Sequence, residues 1–210
     1  MNQFNKGNFK DLCEILADRD QVFKAIMLEY GYPPMWTRPN TFETLVLTVL
    51  EQQVSLASAY AAYKKLKEKI GEITPENVLS LDDAGLRSCY FSRQKIVYVR
   101  ELAGAILNMQ IELNKLALED DDTVRRTLKK LKGIGDWTVD IYLLHALQRT
   151  NIFPTGDLAL VNAIRMLKAI EKPTKTELVQ MAAPWEPYRS IATMMLWHYY
   201  IKKKNIIIQQ

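Results

Sequence analysis

Apolar residues recur at three- and four-residue steps through nearly every long stretch of this chain, and that spacing admits one class of fold. In the stretch from Phe42 to Ile70, Phe42, Leu45, Val46, Val49 and Leu50 keep the step, and Val54, Leu56 and Ala57 carry it on. Ile96, Val99, Leu102, Ala103 and Ile106 repeat it, as do Val124, Leu128 and Leu131, and then Leu160, Val161, Ile164 and Leu167 between Leu158 and Ile170. Residues spaced in this way share one face of a 3.6-residue helix. No window alternates with a period of two, and the Asn-Gly and Asp-Gly signals of tight hairpins are absent. The 8 glycines and 8 prolines bracket these stretches rather than interrupt them. Thr41 is placed to cap the helix beginning at Phe42, with Pro39 closing the segment before it. The sequence therefore predicts an all-α fold. Ile206-Ile207-Ile208 is expected to be a short strand or a packed tail.

Composition narrows the class without choosing a function. A chain of 210 residues with 48% hydrophobic and 25% charged residues can bury a core, as one domain or two small lobes. No apolar run approaches the roughly 20 residues that span a bilayer, and the N-terminus has no signal-peptide core, so an intracellular, cytoplasmic protein is expected. Two cysteines, Cys13 and Cys89, make neither a zinc quartet nor a disulfide framework. A net charge of +4 permits nucleic-acid binding without demanding it.

The segment Leu131-Lys132-Gly133-Ile134-Gly135-Asp136-Trp137-Thr138 is more specific. Asp120, Asp121 and Asp122 open the helix before it, and Lys129, Lys130 and Lys132 close that helix, both in the sense the helix dipole favours. Gly133 and Gly135 are expected to supply positive φ or close approach, so that backbone N–H groups face outward at the start of the next helix. Such a terminus holds a phosphate oxygen, and nearby lysines add counterion release. The plain alternative for Gly-Ile-Gly is a C-cap and a tight turn between helices. The flanking Leu-Lys and Trp-Thr favour the DNA-binding reading.

Some twenty residues further on, Gly156-Asp157 precedes another apolar-periodic segment. Asp157 reads first as a helix N-cap. A capping carboxylate is also placed for chemistry. Cleaving a nucleoside C1′–N bond builds positive charge on the sugar, as glycoside hydrolysis does, and a fixed carboxylate can stabilise that charge and orient water.

Hairpin and carboxylate together resemble the helix-hairpin-helix DNA glycosylases, which carry a Gly/Pro-rich loop and an aspartate. The chain is most similar to their bacterial alkyladenine branch. Two further motifs support the resemblance. Phe42-Glu43 … Glu51-Gln52-Gln53-Val54-Ser55 matches the segment that inserts a side chain into the duplex, and Pro184-Trp185-Glu186-Pro187-Tyr188-Arg189-Ser190-Ile191-Ala192 followed by Leu196-Trp197 matches the closing aromatic turn and helix. The likeness runs from about Arg38 to Trp197.

The resemblance implies that Asp157 is catalytic and that Gln53 is the wedge. It makes Trp137 and Trp197 the aromatic walls around an extruded base, with Ile141 and Tyr142 also lining the pocket. Ile141 stands where an aromatic residue is expected. DNA would be held by Gln53, Lys132, Gly133, Ile134, Gly135 and Thr138. The carbonyls of Lys129, Lys132 and Ile134 would surround a sodium or potassium ion, and no other cofactor is required. Trp137 occupies the position of the lysine nucleophile in strand-cutting relatives, so an intact strand is expected. Three parts are expected: residues 1–40 as a helical segment packed with the C-terminal lobe, 41–150 as the lobe with wedge and hairpin, and 151–210 as the lobe beginning with Asp157. The active-site cleft would lie between the two lobes, and the residues before Arg38 are too few for the β-rich domain of longer relatives. The expected substrate is double-stranded DNA with damaged bases, taken by a monomer. An alkylated purine already carries positive charge and leaves as a neutral base, so one carboxylate suffices. The competing readings are a non-catalytic hairpin module that binds DNA or scaffolds repair, and a glycosylase for neutral bases such as uracil or hypoxanthine.

Overall fold

The computed structural model describes residues 3–207 and, among them, thirteen α-helices and a single isolated bridge, Gln3 with Arg149. The helices are α1 (Phe9–Arg19), α2 (Gln21–Tyr30), α3 (Phe42–Glu51), α4 (Leu56–Ile70), α5 (Pro75–Ser80), α6 (Asp83–Ser88), α7 (Arg93–Leu107), α8 (Leu113–Leu116), α9 (Asp121–Leu128), α10 (Asp136–His145), α11 (Leu158–Lys168), α12 (Lys175–Ala182) and α13 (Arg189–Lys203). A 3₁₀ turn, Ala183–Trp185, precedes α13. The all-α expectation is met. No helix among the described residues is long and apolar enough to cross a membrane.

The chain divides into two compact units, named here for their place in the sequence. The central unit is Arg38–Tyr142, and the terminal unit comprises residues 3–37 and 143–207. One division falls before Arg38 and the other inside α10, whereas the sequence suggested 40 and 150.

In the central unit, α3 packs on α4 and α7, and α5 and α6 pack on α7. Leu45, Val46, Val49 and Leu50 of α3 and Val99, Leu102 and Ala103 of α7 are buried in its core. In the terminal unit, α13 is the axis: α1, α2 and α11 all pack on it. Its Ile191, Ala192, Met194 and Met195 have no exposed surface. Trp185 is core as well, its Nε1 donating to Asp20 Oδ2 at 2.9 Å and its ring set edge-on to Phe23 and Phe153.

Two expectations need correction. The stretch Phe42 to Ile70 is two helices, not one. α3 stops at Glu51, Gln53 takes φ 57°, and Ser55 Oγ accepts from Ser58 N to start α4. Val54 and Leu56, which extend the apolar repeat on paper, are 46% and 54% exposed. Ile206 and Ile207 form neither strand nor packed tail, since both are exposed beyond α13; Ile208 lies outside the described residues.

Candidate DNA-binding and catalytic sites

The hairpin of the central unit is built as its residues suggest. Asp120 caps α9 by accepting from Thr123 N at 2.8 Å. That backbone bond, with a second from the Thr123 hydroxyl, holds the Asp120 carboxyl below its ordinary range. Arg125 of α9 pairs with Asp140 of α10 at 2.5 Å, and Lys129 with Asp136 at 2.6 Å, so the two helices flanking the turn are tied by charge.

Gly133 has φ 83°, and a Cβ there would meet the Tyr98 ring at 2.2 Å. Both facts require glycine. Gly135 departs from the expectation, because its φ is ordinary and a Cβ there would meet nothing within 4 Å. Lys132 is exposed, and its backbone N–H donates to Glu101 Oε2 at 3.1 Å. Ile134 is buried. Thr138, expected at the DNA surface, faces inward at 2% exposure, and its hydroxyl accepts from Gln52 Nε2 at 2.9 Å.

The same Nε2 donates to the Gly133 carbonyl at 2.9 Å. Gln52 is thus no solvated surface residue; it joins the end of α3 to the hairpin. Gln53, beside it, is exposed. The resemblance singled out Gln53 as the wedge and gave no role to Gln52.

Of the residues expected to line a base pocket, Trp137 is half-buried in the first turn of α10. Ile141 is 4% exposed. Tyr142 has no exposed surface at all, and its hydroxyl donates to Asn40 Oδ1 at 2.6 Å. It is an interior residue rather than a wall, because burying the phenol on this helix satisfies its hydroxyl within the unit.

The carboxylate belongs to the terminal unit. Asp157 Oδ1 accepts from Leu160 N at 2.9 Å and so caps α11, while Asp157 N donates to the Pro154 carbonyl at 2.8 Å. The loop leading to it is held at its base by α13: Ser190 Oγ donates to the Arg149 carbonyl and accepts from Ile152 N, and Arg189 Nε donates to Asn151 Oδ1.

Trp197, forty residues on, donates its Nε1–H to Asp157 Oδ1 at 2.8 Å. One face of its ring stacks on His145 at 5.5 Å and 8°, and Trp36 meets it edge-on at 6.4 Å. His145 Nδ1 lies 2.7 Å from the Trp36 carbonyl; a carbonyl only accepts, so this nitrogen carries the proton. Trp197 is 8% exposed. Expected as a wall of the base pocket, it spends a face on His145 and its only donor on the carboxylate. Trp36 and His145 were not anticipated. Trp36 lies just before the recognisable segment begins, and His145 is one of only two histidines, two turns after Trp137 on the same helix.

Comparison with known proteins places this arrangement. The family HhH-GPD superfamily base excision DNA repair protein matches residues 46–187. A putative DNA-3-methyladenine glycosylase of Bacillus subtilis is 31% identical over 182 residues, covering 82% of this chain and 63% of that protein. The chain therefore spans less than two thirds of that relative's length. DNA-3-methyladenine glycosylase 1 of Schizosaccharomyces pombe is 32% identical over 191 residues, 87% of this chain and 83% of that protein. Among solved structures, the S. pombe 3-methyladenine DNA glycosylase in complex with abasic DNA matches with a TM-score of 0.84 at 26% identity, covering 95% of this chain and 99% of the other.

Proposed function

The chain belongs to the HhH-GPD superfamily of base excision DNA repair proteins, and from that premise we propose that it is a monofunctional DNA glycosylase acting on alkylated purines of the 3-methyladenine and 7-methylguanine type. The observation that carries this reading is the carboxylate of Asp157, fixed by the α11 N-terminus and by the Trp197 indole N–H. A passive hairpin module would use Asp157 only as the cap of α11.

In the proposed reaction the C1′–N bond breaks with its electron pair leaving on the base. A cationic alkylated purine departs neutral, so no general acid is needed. The sugar is left with positive charge, which Asp157 stabilises while water attacks C1′ and passes its proton to the carboxylate and on to solvent. A group preorganised where charge develops is typically worth about 10²–10³ in rate. Asp157 needs the support it has, because a carboxylate that swung away in the transition state would give little.

Trp137 is the residue we assign to stacking on the extruded base, a contact worth roughly 1–3 kcal/mol. It also stands where strand-cutting relatives carry a lysine, so no Schiff base forms at that position and the product is an abasic site in an unbroken strand. The hairpin grips the phosphate backbone. Open space at Gly135 leaves its backbone approachable from outside the protein, and Lys132 adds charge.

The turn's own hydrogen bonds use the carbonyls of Thr127, Leu128, Leu131 and Gly133. The carbonyls of Lys129, Lys132 and Ile134 are not among these, and such hard neutral oxygens suit a sodium or potassium ion. That ion would neutralise phosphate charge at the turn.

The test is base release from methylated double-stranded DNA, with free bases separated and identified and strand integrity checked alongside. We expect 3-methyladenine and 7-methylguanine, far faster than uracil from a uracil-containing duplex, and unbroken strands. No release from either DNA would leave only a binding module. Equal rates on uracil would require an acid that this account does not contain.

A further inference from the structure

We propose that Gln52 is a positioning residue that locks the turn presenting Gln53 to the phosphate-binding hairpin, so that wedge and clamp act as one rigid piece. The inference rests on reading the central unit as the DNA-gripping part of a glycosylase and Gln53 as its inserted side chain.

Three consecutive residues at the end of α3 are each held by a distant group. Lys95 Nζ donates to the Leu50 carbonyl at 2.7 Å. The Arg38 guanidinium meets Glu51 with both terminal nitrogens, at 2.8 and 2.5 Å. Gln52 Nε2 reaches the Gly133 carbonyl and the Thr138 hydroxyl, both at 2.9 Å. On the far side, Ser55 caps α4. Between these anchors Gln53 sits exposed at φ 57°. A left-handed conformation at a non-glycine residue is sterically disfavoured and persists only where its surroundings over-determine it. Here they do.

Among the anchors, Gln52 alone points to the hairpin. Its amide assignment is fixed chemically, because the Gly133 carbonyl only accepts and must face nitrogen. Gly133 is also the residue whose φ of 83° and contact with Tyr98 set the sharp bend. A single amide therefore ties the residue beside the left-handed Gln53 to the glycine that bends the hairpin. The functional consequence is registration. A hairpin holding a phosphate fixes where Gln53 enters the duplex, and insertion of Gln53 needs no separate ordering of its turn.

Gln52→Glu keeps shape but removes both donors, and Gln52→Met keeps volume without polarity. Amide hydrogen exchange in the free protein reads the lock directly. We expect both variants to speed exchange by roughly tenfold or more at Gln52 and Ile134 together, whose N–H groups donate to the Val49 and Leu131 carbonyls, with the rest of the central unit unchanged. Faster exchange at only one of the two, at neither, or throughout the unit overturns the lock.

Affinity for a duplex with an abasic analogue, against undamaged duplex, reads the consequence. In the wild-type background Gln53→Ala should weaken analogue binding roughly tenfold and undamaged binding little; in the Gln52→Met background the same change should matter less than about twofold. An equal Gln53→Ala penalty in both backgrounds overturns the positioning role. If Gln53→Ala affects both DNAs equally in the wild-type background, the wedge reading fails instead, and the exchange result still decides the lock.

Discussion

On the proposed reading, the central unit would work through its backbone and the terminal unit through its side chains. In the hairpin, Gly133 bends at φ 83° and Gly135 has open space beside its main chain; on that reading the backbone would meet the phosphate. Around Asp157, what matters is which side-chain atoms lie within hydrogen-bonding distance: Leu160 N, Trp197 Nε1 and, behind the indole, the His145 ring. A backbone device is robust to most substitutions yet fragile at its glycines. A side-chain device loses its function when one atom changes, even though the fold survives. Gripping DNA needs only a shape repeated at every phosphate. Cleaving one bond needs a charge held at one point.

The largest expected effect tests the side-chain device at its centre. Asp157→Asn keeps an oxygen for the α11 cap, so the protein should fold, while base release falls by about 10²–10³ or more. Binding to abasic DNA should persist. Near-normal turnover by this variant would sink the catalytic assignment.

Next comes Trp197→Phe, which retains an aromatic ring against His145 but removes the N–H together with part of the indole. A hydrogen bond to a charged group is worth about 1.5–3 kcal/mol, so kcat should drop roughly ten- to a hundredfold with KM little changed. Loss confined to KM would make Trp197 a wall for the base after all.

A smaller effect separates the two glycines. Gly133→Ala meets both positive φ and the Tyr98 ring, so it should lower Tm by several degrees and weaken damaged and undamaged duplex alike. Gly135→Ala meets nothing in the protein, so Tm should stay within about 2 °C while affinity for both duplexes falls. If Gly135→Ala binds DNA normally, the phosphate does not approach there. Smallest of all, Lys132→Ala should leave base release at saturating DNA unchanged and reduce the slope of log K against log salt by roughly 1.

Much of this was legible in the residues. Thr41 and Asp157 read as N-caps and are N-caps, each accepting the backbone N–H three residues on. Capping is local, so a short window suffices to see it. The break between α3 and α4 was not legible. Gln53 carries no mark of a left-handed residue, and Val54 and Leu56 continued an apolar rhythm that the structure leaves in solvent. Thr138 and Tyr142 looked available on paper, and their hydroxyls turn out to be engaged by Gln52 and with Asn40.

The sequence by itself determined the helices, the bend at Gly133 and the cap at Asp157, because periodicity, φ preference and capping act over three or four neighbours. Only the tertiary structure decided that Gln52 holds Gly133 across 81 positions, that Trp197 holds Asp157 across 40, and that His145 stands behind Trp197. Those pairings depend on which helix faces pack together. A donor and an acceptor distant in sequence carry no trace of each other until packing closes the gap to less than 3 Å.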